Sequence, residues 1–251
     1  EEAAAAAAAE APAAEANMQR GAAAAGRLAA TESSGAPHIV VAELARGLCE
    51  CRPEERRIAY VECHDQSLVG GQSLAFRMMG ADMFTGMSKL SAARPTIARG
   101  MALHKLSRLL AVSLGGEAYL NFIGNEFGHD GWIDFPREGN GQSYERARRR
   151  WDLADDPLLR YSELQAFDQA LMRASDAWLA APAPCGLRTD RAEDQRMLMP
   201  AEPHVRWCDC CEPRSLIWFR RGPRCWFGFN FHGTEAASIV QPLVAAQRYG
   251  A

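Results

Sequence analysis

Long apolar runs are missing from this chain. No stretch approaches the roughly 20 consecutive apolar residues a membrane-crossing helix needs, so no membrane partner is expected. Charge of one sign is missing too, since 28 Lys and Arg face 31 Asp and Glu, for a formal net charge of -3. That balance gives no electrostatic reason to expect nucleic acid or an anionic surface as a partner. Glu1 to Ala30 is mostly Ala and carries almost no large apolar side chain. Alanine favours helix, yet an isolated helix is marginal without tertiary packing. Residues 1–37 therefore read as a disordered or solvated leader. Its two initial acids and the lack of a leucine-rich core exclude a secretory signal, and the lack of an initial Met fits a fragment.

Cysteine is plentiful, with eight in the chain, but zinc-like spacing is lacking. Cys208, Cys210 and Cys211 cluster tightly and Cys49 and Cys51 form a close pair, whereas structural zinc asks for two C-x2-4-C-like pairs or their histidine equivalents. No metal is expected, and the cysteines read as free intracellular thiols. Cys63 reads as a small packing residue.

The most informative stretch present is Tyr60-Val61-Glu62-Cys63-His64-Asp65-Gln66. It reads as a short apolar strand, Ile58 to Val61, buried on both faces, that ends abruptly in polar and ionisable residues. In a barrel of parallel strands the chemistry sits at the strands' C-terminal ends. His64 and Asp65 thus suit an active site, and equally suit a cap on the following turn. Ala118 to Gly124 is a second apolar run, followed by Asn125 and Glu126. Between the two runs Ile97, Met101, Leu103, Leu106, Leu110 and Leu114 recur at helical spacing, with Pro95 before them and Gly115-Gly116 after. Asp156-Pro157 has the form of a helix start, with Leu158, Tyr161, Leu164, Phe167, Leu171 and Trp178 as its inner face. The order is β-α-β-α.

From about Arg196 the pattern turns to β. Ser215 to Phe219 and Trp226 to Phe231 flank Arg220-Arg221-Gly222-Pro223-Arg224, which reads as a hairpin turn. Phe227, Phe229 and Phe231 alternate, as a buried face does, although aromatic rings can also stack on sugars. Gly186 to Pro213 is rich in Pro and charge and suggests a divergent β region. The basic run Arg146 to Arg150 could suit a phosphate, but reads first as a solvated or ion-paired face, given Glu138, Glu145 and Asp152 around it.

Several stretches together resemble one family. They are Tyr60 to Gly70, Arg99 to Lys105, Gly116 to His129, Trp132 to Arg137, Arg148 to Leu153, Leu159 to Tyr161, and Phe229-Asn230-Phe231-His232. In this order and spacing they resemble the C-terminal part of the 1,4-α-glucan branching enzymes, of the starch and glycogen type, within the α-amylase superfamily (glycoside hydrolase family 13). The resemblance implies an α/β fold, namely the last two βα units of an incomplete TIM (β/α)8 barrel followed by an all-β C-terminal sandwich domain. The expected boundaries are 1–37 for the leader, 38–181 for the barrel part and 182–251 for the β domain. It also implies cleavage of α-1,4 glucan chains (amylose, amylopectin or glycogen) and their transfer to form α-1,6 branches by retaining double displacement. No cofactor is implied, and the expected location is intracellular, cytoplasmic or plastid. Asp65 matches a carboxylate that supports the oxocarbenium-like transition state, and His64 a histidine that binds the same sugar. Asn125, Glu126 and Trp132 are implied near the substrate, with Glu126 equally readable as a structural carboxylate.

Retaining chemistry also needs a nucleophile and a general acid with carboxyl groups about 5–5.5 Å apart. In the family these stand on two earlier strands, and nothing between Glu1 and Arg57 reads as either. Glu32 to Pro37 faintly resembles the acid segment but is out of register. By itself the chain is expected to be inactive. The alternative is a catalytically incomplete remnant that binds α-glucan or partner enzymes without turnover.

Overall fold

The computed structural model describes residues 30–31, 37–38, 40–52, 55–68, 72–131, 133–185, 187–189, 197–198, 208–211, 215–222, 225–232, 235–236 and 239–240. Most of the expected leader, Trp132 and much of 182–251 lie outside them. In chain order the elements begin with β1 (Ala30–Thr31), β2 (Pro37–His38), α1 (Val41–Cys49), β3 (Ile58–Ala59), α2 (His64–Leu68), α3 (Leu74–Met79) and α4 (Met83–Gly86). They continue with α5 (Pro95–Leu114), β4 (Ala118–Tyr119), α6 (Trp151–Asp155), α7 (Tyr161–Leu179), β5 (Leu187–Thr189) and β6 (Met197–Leu198). Last come β7 (Cys208–Cys211), β8 (Leu216–Arg221), β9 (Cys225–Asn230) and β10 (Ile239–Val240). The protein mixes helices with small sheets, and the described strands form no closed barrel. Two compact units divide the chain, one from residues 1–57, 113–117 and 177–251, the other from 58–112 and 118–176.

The second unit is built around a βα crossover. β3 and β4 pair in parallel, Ile58 with Ala118 and Ala59 with Tyr119, and Leu120 N–H donates to the Ala59 carbonyl at 2.8 Å. Parallel neighbours need a long connection, which α5 supplies. The strands are shorter than the apolar runs suggest. Ile58 is 64% exposed, so Ile58 to Val61 is not a strand buried on both faces. The ladder stops because Glu62 turns inward and its carboxylate accepts the Leu74 N–H at 2.6 Å, tying the chain to the start of α3. A methionine-rich core holds this unit, with Met79, Met83, Met87, Ile97, Met101, Phe127, Tyr161 and Leu164 packed together.

α5 and α7 depart from the expected faces in instructive ways. Met101, His104, Arg108 and Ala111 are buried on α5, whereas Leu103 and Leu106 are only half-buried. The inner stripe carries two ionisable residues because Arg108 binds Asp168 and Asn121, while His104 has a backbone hydrogen bond with Asn125 and is kept neutral by burial. On α7 the buried stripe is Tyr161, Leu164, Asp168, Leu171, Ser175 and Trp178, at steps of three and four. This helix begins at Tyr161 rather than at Asp156-Pro157. Asp156 instead closes a turn, its Oδ1 accepting the Leu158 N–H at 2.8 Å. The Leu158 carbonyl accepts the Lys89 N–H at 2.7 Å, and Arg160 N–H donates to Met87 at 2.8 Å. Those bonds fix 157–160 as a turn with a single bridge from Leu159 to Ser88, and Leu158 is left 51% exposed.

In the other unit, β5, β7, β8 and β9 form one sheet in that order. β5 lies parallel to β7, and the remaining pairs are antiparallel. Gly222, at φ +65°, sits in the β8–β9 turn where a left-handed residue is needed. Leu216, Ile217, Trp218, Phe219, Phe227 and Phe229 are buried. The Phe219 and Phe227 rings stack at 5.1 Å, and Phe219 and Phe229 at 6.0 Å. Phe227 and Phe229 are thus core residues rather than an exposed sugar-stacking surface. Phe231 is half-buried and stacks on Phe229 at 6.5 Å.

Candidate active site

Just beyond β3 the backbone bends and delivers two side chains outward. Cys63 is buried, and its N–H donates to Gln66 Oε1 at 2.8 Å, which closes the first turn of α2. From that turn His64 Nε2 lies 3.1 Å from Asp65 Oδ1, and both side chains remain about half exposed, at 52% and 42%. The Cys63 Sγ approaches Asp65 Oδ2 at 3.6 Å. From the segment after β4, Phe122 sets its ring edge-on to the His64 imidazole, with centroids 6.1 Å apart. The ends of both parallel strands therefore meet at His64. The exposed carboxylate and imidazole, backed by an aromatic ring, can bind the hydroxyls of a polar ligand.

Cys63, His64 and Asp65 also hold the one gathering of possible metal-ligand atoms among the described residues, all within 4.8 Å. The His64 nitrogen and an Asp65 oxygen already face each other as a pair. The Cys63 thiol is pushed up by burial, which favours the protonated form over a metal-binding thiolate. Packing remains the simplest account of this cysteine.

Asn125 and Glu126 follow the second strand but are buried. Gly124 and Gly128, at φ +79° and +76°, bracket the single tight turn that carries them. A side chain at Gly128 would be strained at φ +76°, and its Cβ would press on Leu164 Cδ1 at 2.9 Å. Glu126 pairs with Arg149 at 3.0 Å and accepts from Asn121 Nδ2 at 2.8 Å. Asn121 Oδ1 in turn accepts from Arg108 Nη1 at 3.3 Å. Arg108 completes the network by binding Asp168, with Nε to Oδ1 at 3.1 Å, while its guanidinium lies over the Tyr119 ring at 5.4 Å. Glu126 is thus occupied by protein partners in a buried lattice. The lattice braces the loop after β4.

The pattern missed Glu62, His104, Arg108 and Asp168. Burial raises the Glu62 carboxyl to about 7, against the lowering effects of the Leu74 N–H, Arg108 and Arg77. Burial, helped by Arg108, pushes the His104 imidazole down to about 3, so this histidine is neutral. The available signal was the four-residue spacing of His104 and Arg108 along the same stripe as Met101. Within the basic run, Arg149 pairs with Glu126 and Arg150 with Asp152, the latter at 2.6 Å.

An exposed His–Asp pair thus follows the first strand of the crossover unit, and a braced loop follows its second. Known proteins make this more specific. No model of a protein family matches the chain. It is 54% identical over 195 residues to a 1,4-alpha-glucan-branching enzyme of Dictyostelium discoideum, covering 78% of this chain and 26% of that protein. It is 53% identical over 192 residues to the chloroplastic/amyloplastic 1,4-alpha-glucan-branching enzyme of Oryza sativa subsp. japonica, covering 76% and 21%. The branching enzyme of Rhizophagus irregularis is 44% identical over 188 residues, covering 74% and 24%. The resemblance read from the motifs is thereby shown: the chain is homologous to part of the 1,4-α-glucan-branching enzymes. It spans about a quarter of the length of these curated relatives.

Proposed function

We propose that this chain is part of a 1,4-α-glucan-branching enzyme, with residues 38–181 as the last two βα units of its TIM barrel and 182–251 as its β-sandwich domain. The complete enzyme cuts an α-1,4 glucan and rejoins the cut chain through an α-1,6 bond. The substrate is starch- or glycogen-type glucan. The observation that carries this reading is the exposed His64–Asp65 pair at the end of a parallel strand, in a chain 54% identical to a branching enzyme over 195 residues. In a retaining double displacement, a nucleophile and a general acid from elsewhere in the enzyme perform the covalent and proton-transfer steps. Asp65 binds hydroxyls of the reacting sugar and stabilises positive charge as the ring flattens. His64 donates to the same sugar, held in place by Asp65 and Phe122. Contacts that tighten as the ring distorts act mainly on the transition state and so raise the rate. Trp132 is the further substrate contact proposed, whereas Asn125, buried in the turn after β4, suits a bracing role better. Glu126 serves better as a brace, because its oxygens are already bonded to Arg149 and Asn121.

The test is to incubate the complete enzyme with a linear α-1,4 glucan and follow both α-1,6 linkages by proton NMR and reducing ends. New branches without new reducing ends are expected. Reducing ends alone would make the enzyme a hydrolase. No reaction at all would favour the glucan-binding remnant.

A further inference from the structure

The geometry points to Cys51 and Cys185 as a reversible dithiol–disulfide pair, a modification site that takes a low-molecular-weight disulfide as its oxidant. The two sulfurs lie 2.6 Å apart. That is closer than non-bonded sulfurs rest in van der Waals contact, and about 0.6 Å beyond the ~2.05 Å of a disulfide bond. The Cys185 thiol also donates to the Cys51 carbonyl at 2.9 Å. Backbone ties hold the two segments in place. Arg57 donates through Nη1 to the Leu48 carbonyl and through Nη2 to that of Pro184, the latter at 3.4 Å. The Glu117 carboxylate accepts the Arg57 N–H and the Ala183 N–H, each at 3.0 Å. Burial raises the Glu117 carboxyl, but these bonds and the Arg57 and Arg221 charges outweigh it and lower it, so it stays ionised as a clasp. Both cysteines lie within one unit, and each is only half-buried, within reach of a small reagent.

In the exchange, one thiolate attacks a sulfur of glutathione disulfide and expels one glutathione thiolate. The second protein thiolate then displaces the other glutathione, forming the Cys51–Cys185 bond. Two protein thiols are oxidised, one glutathione disulfide is reduced to two glutathiones, and the protons leave with them. Burial and the Cys185 contact push the Cys51 thiol up to about 12, so reduced Cys51 rests protonated and reacts slowly at neutral pH. The bond would join positions 134 apart in sequence, and the segment between them carries the sequence of the whole second unit.

The test is to equilibrate the full chain with glutathione disulfide at about pH 8.5, where thiol exchange is faster, then quench with acid, digest and map by mass spectrometry. The expected product is a peptide cross-linked through Cys51 and Cys185, in a protein lighter by two hydrogen atoms, fully reversed by dithiothreitol. The cross-link should vanish in Cys185→Ser. Mapping the unmutated chain remains decisive even if that variant misfolds. Persisting thiols, stable glutathione adducts on both cysteines, or Cys51 paired with Cys49 instead would each overturn the proposal.

Discussion

Glu62 shows how a single side chain can set both a turn and a pH response. Its carboxyl is buried, caps α3 through Leu74, and is raised from about 4.5 to about 7. A raised carboxyl binds its proton more tightly in the folded chain than in the unfolded one. Its contribution is therefore fully present below about pH 4.5 and is lost as pH rises through about 7. A shift of that size corresponds to roughly 3 kcal/mol. His104, lowered to about 3, acts in the opposite sense, since the unfolded chain gains its proton as pH falls below about 6.5. The two effects overlap, so the informative quantity is the difference between wild type and Glu62→Gln, which keeps an oxygen for the Leu74 N–H. Urea midpoints should show wild type losing ground to Glu62→Gln steadily between pH 4.5 and 7; parallel curves would remove the role. Residue by residue, the sequence was uneven. His64 and Asp65 stood out because ionisable groups ending an apolar run are conspicuous. Glu62 did not, because nothing in a linear pattern says that an acid two residues earlier turns inward.

Among the elements, α5 and α3 approach closely because position 100 carries no side chain. A Cβ there would lie 2.1 Å from Met79 Cγ. Gly100→Ala gains up to about 1 kcal/mol of helix propensity but overpacks a buried contact, at a cost of about 1–3 kcal/mol. Overpacking should win, and thermal unfolding should show a lower midpoint for Gly100→Ala; a raised midpoint would mean that Met79 moves aside freely. The α7 stripe was largely legible, since Tyr161, Leu164, Leu171 and Trp178 were expected on it and are buried. Its start was not, because Asp156-Pro157 satisfies the local rules for a helix start while backbone bonds to Met87 and Lys89 hold the following residues in a turn. On α5, Leu103 and Leu106 fitted the period, yet His104 and Arg108 took the inner positions once Asp168 and Asn121 were there to receive the arginine. Pairing between distant residues decided both, and spacing along one helix cannot display it.

At the scale of the whole molecule, chain order and spatial grouping differ. Residues 113–117 join a unit whose other parts are 1–57 and 177–251, and Glu117 bridges Arg57 and Ala183 across that gap in sequence. Linear composition cannot reveal such a return. The family resemblance survived because it rests on short motifs near strand ends, which keep their order whatever the grouping. No described helix is long and apolar enough to cross a membrane. The central claim is that Asp65, with His64 beside it, stabilises the transition state of glucan transfer in the complete enzyme. The most direct measurement is the rate of branch formation by that enzyme carrying Asp65→Asn, read beside its unfolding temperature. The half-exposed side chain keeps its volume and loses only its charge, so the fold should hold. Activity should fall by several orders of magnitude, while His64→Ala should cost less, about 2–4 kcal/mol, in line with one positioned donor. A near-normal rate for Asp65→Asn, with the unfolding temperature unchanged, would contradict the account.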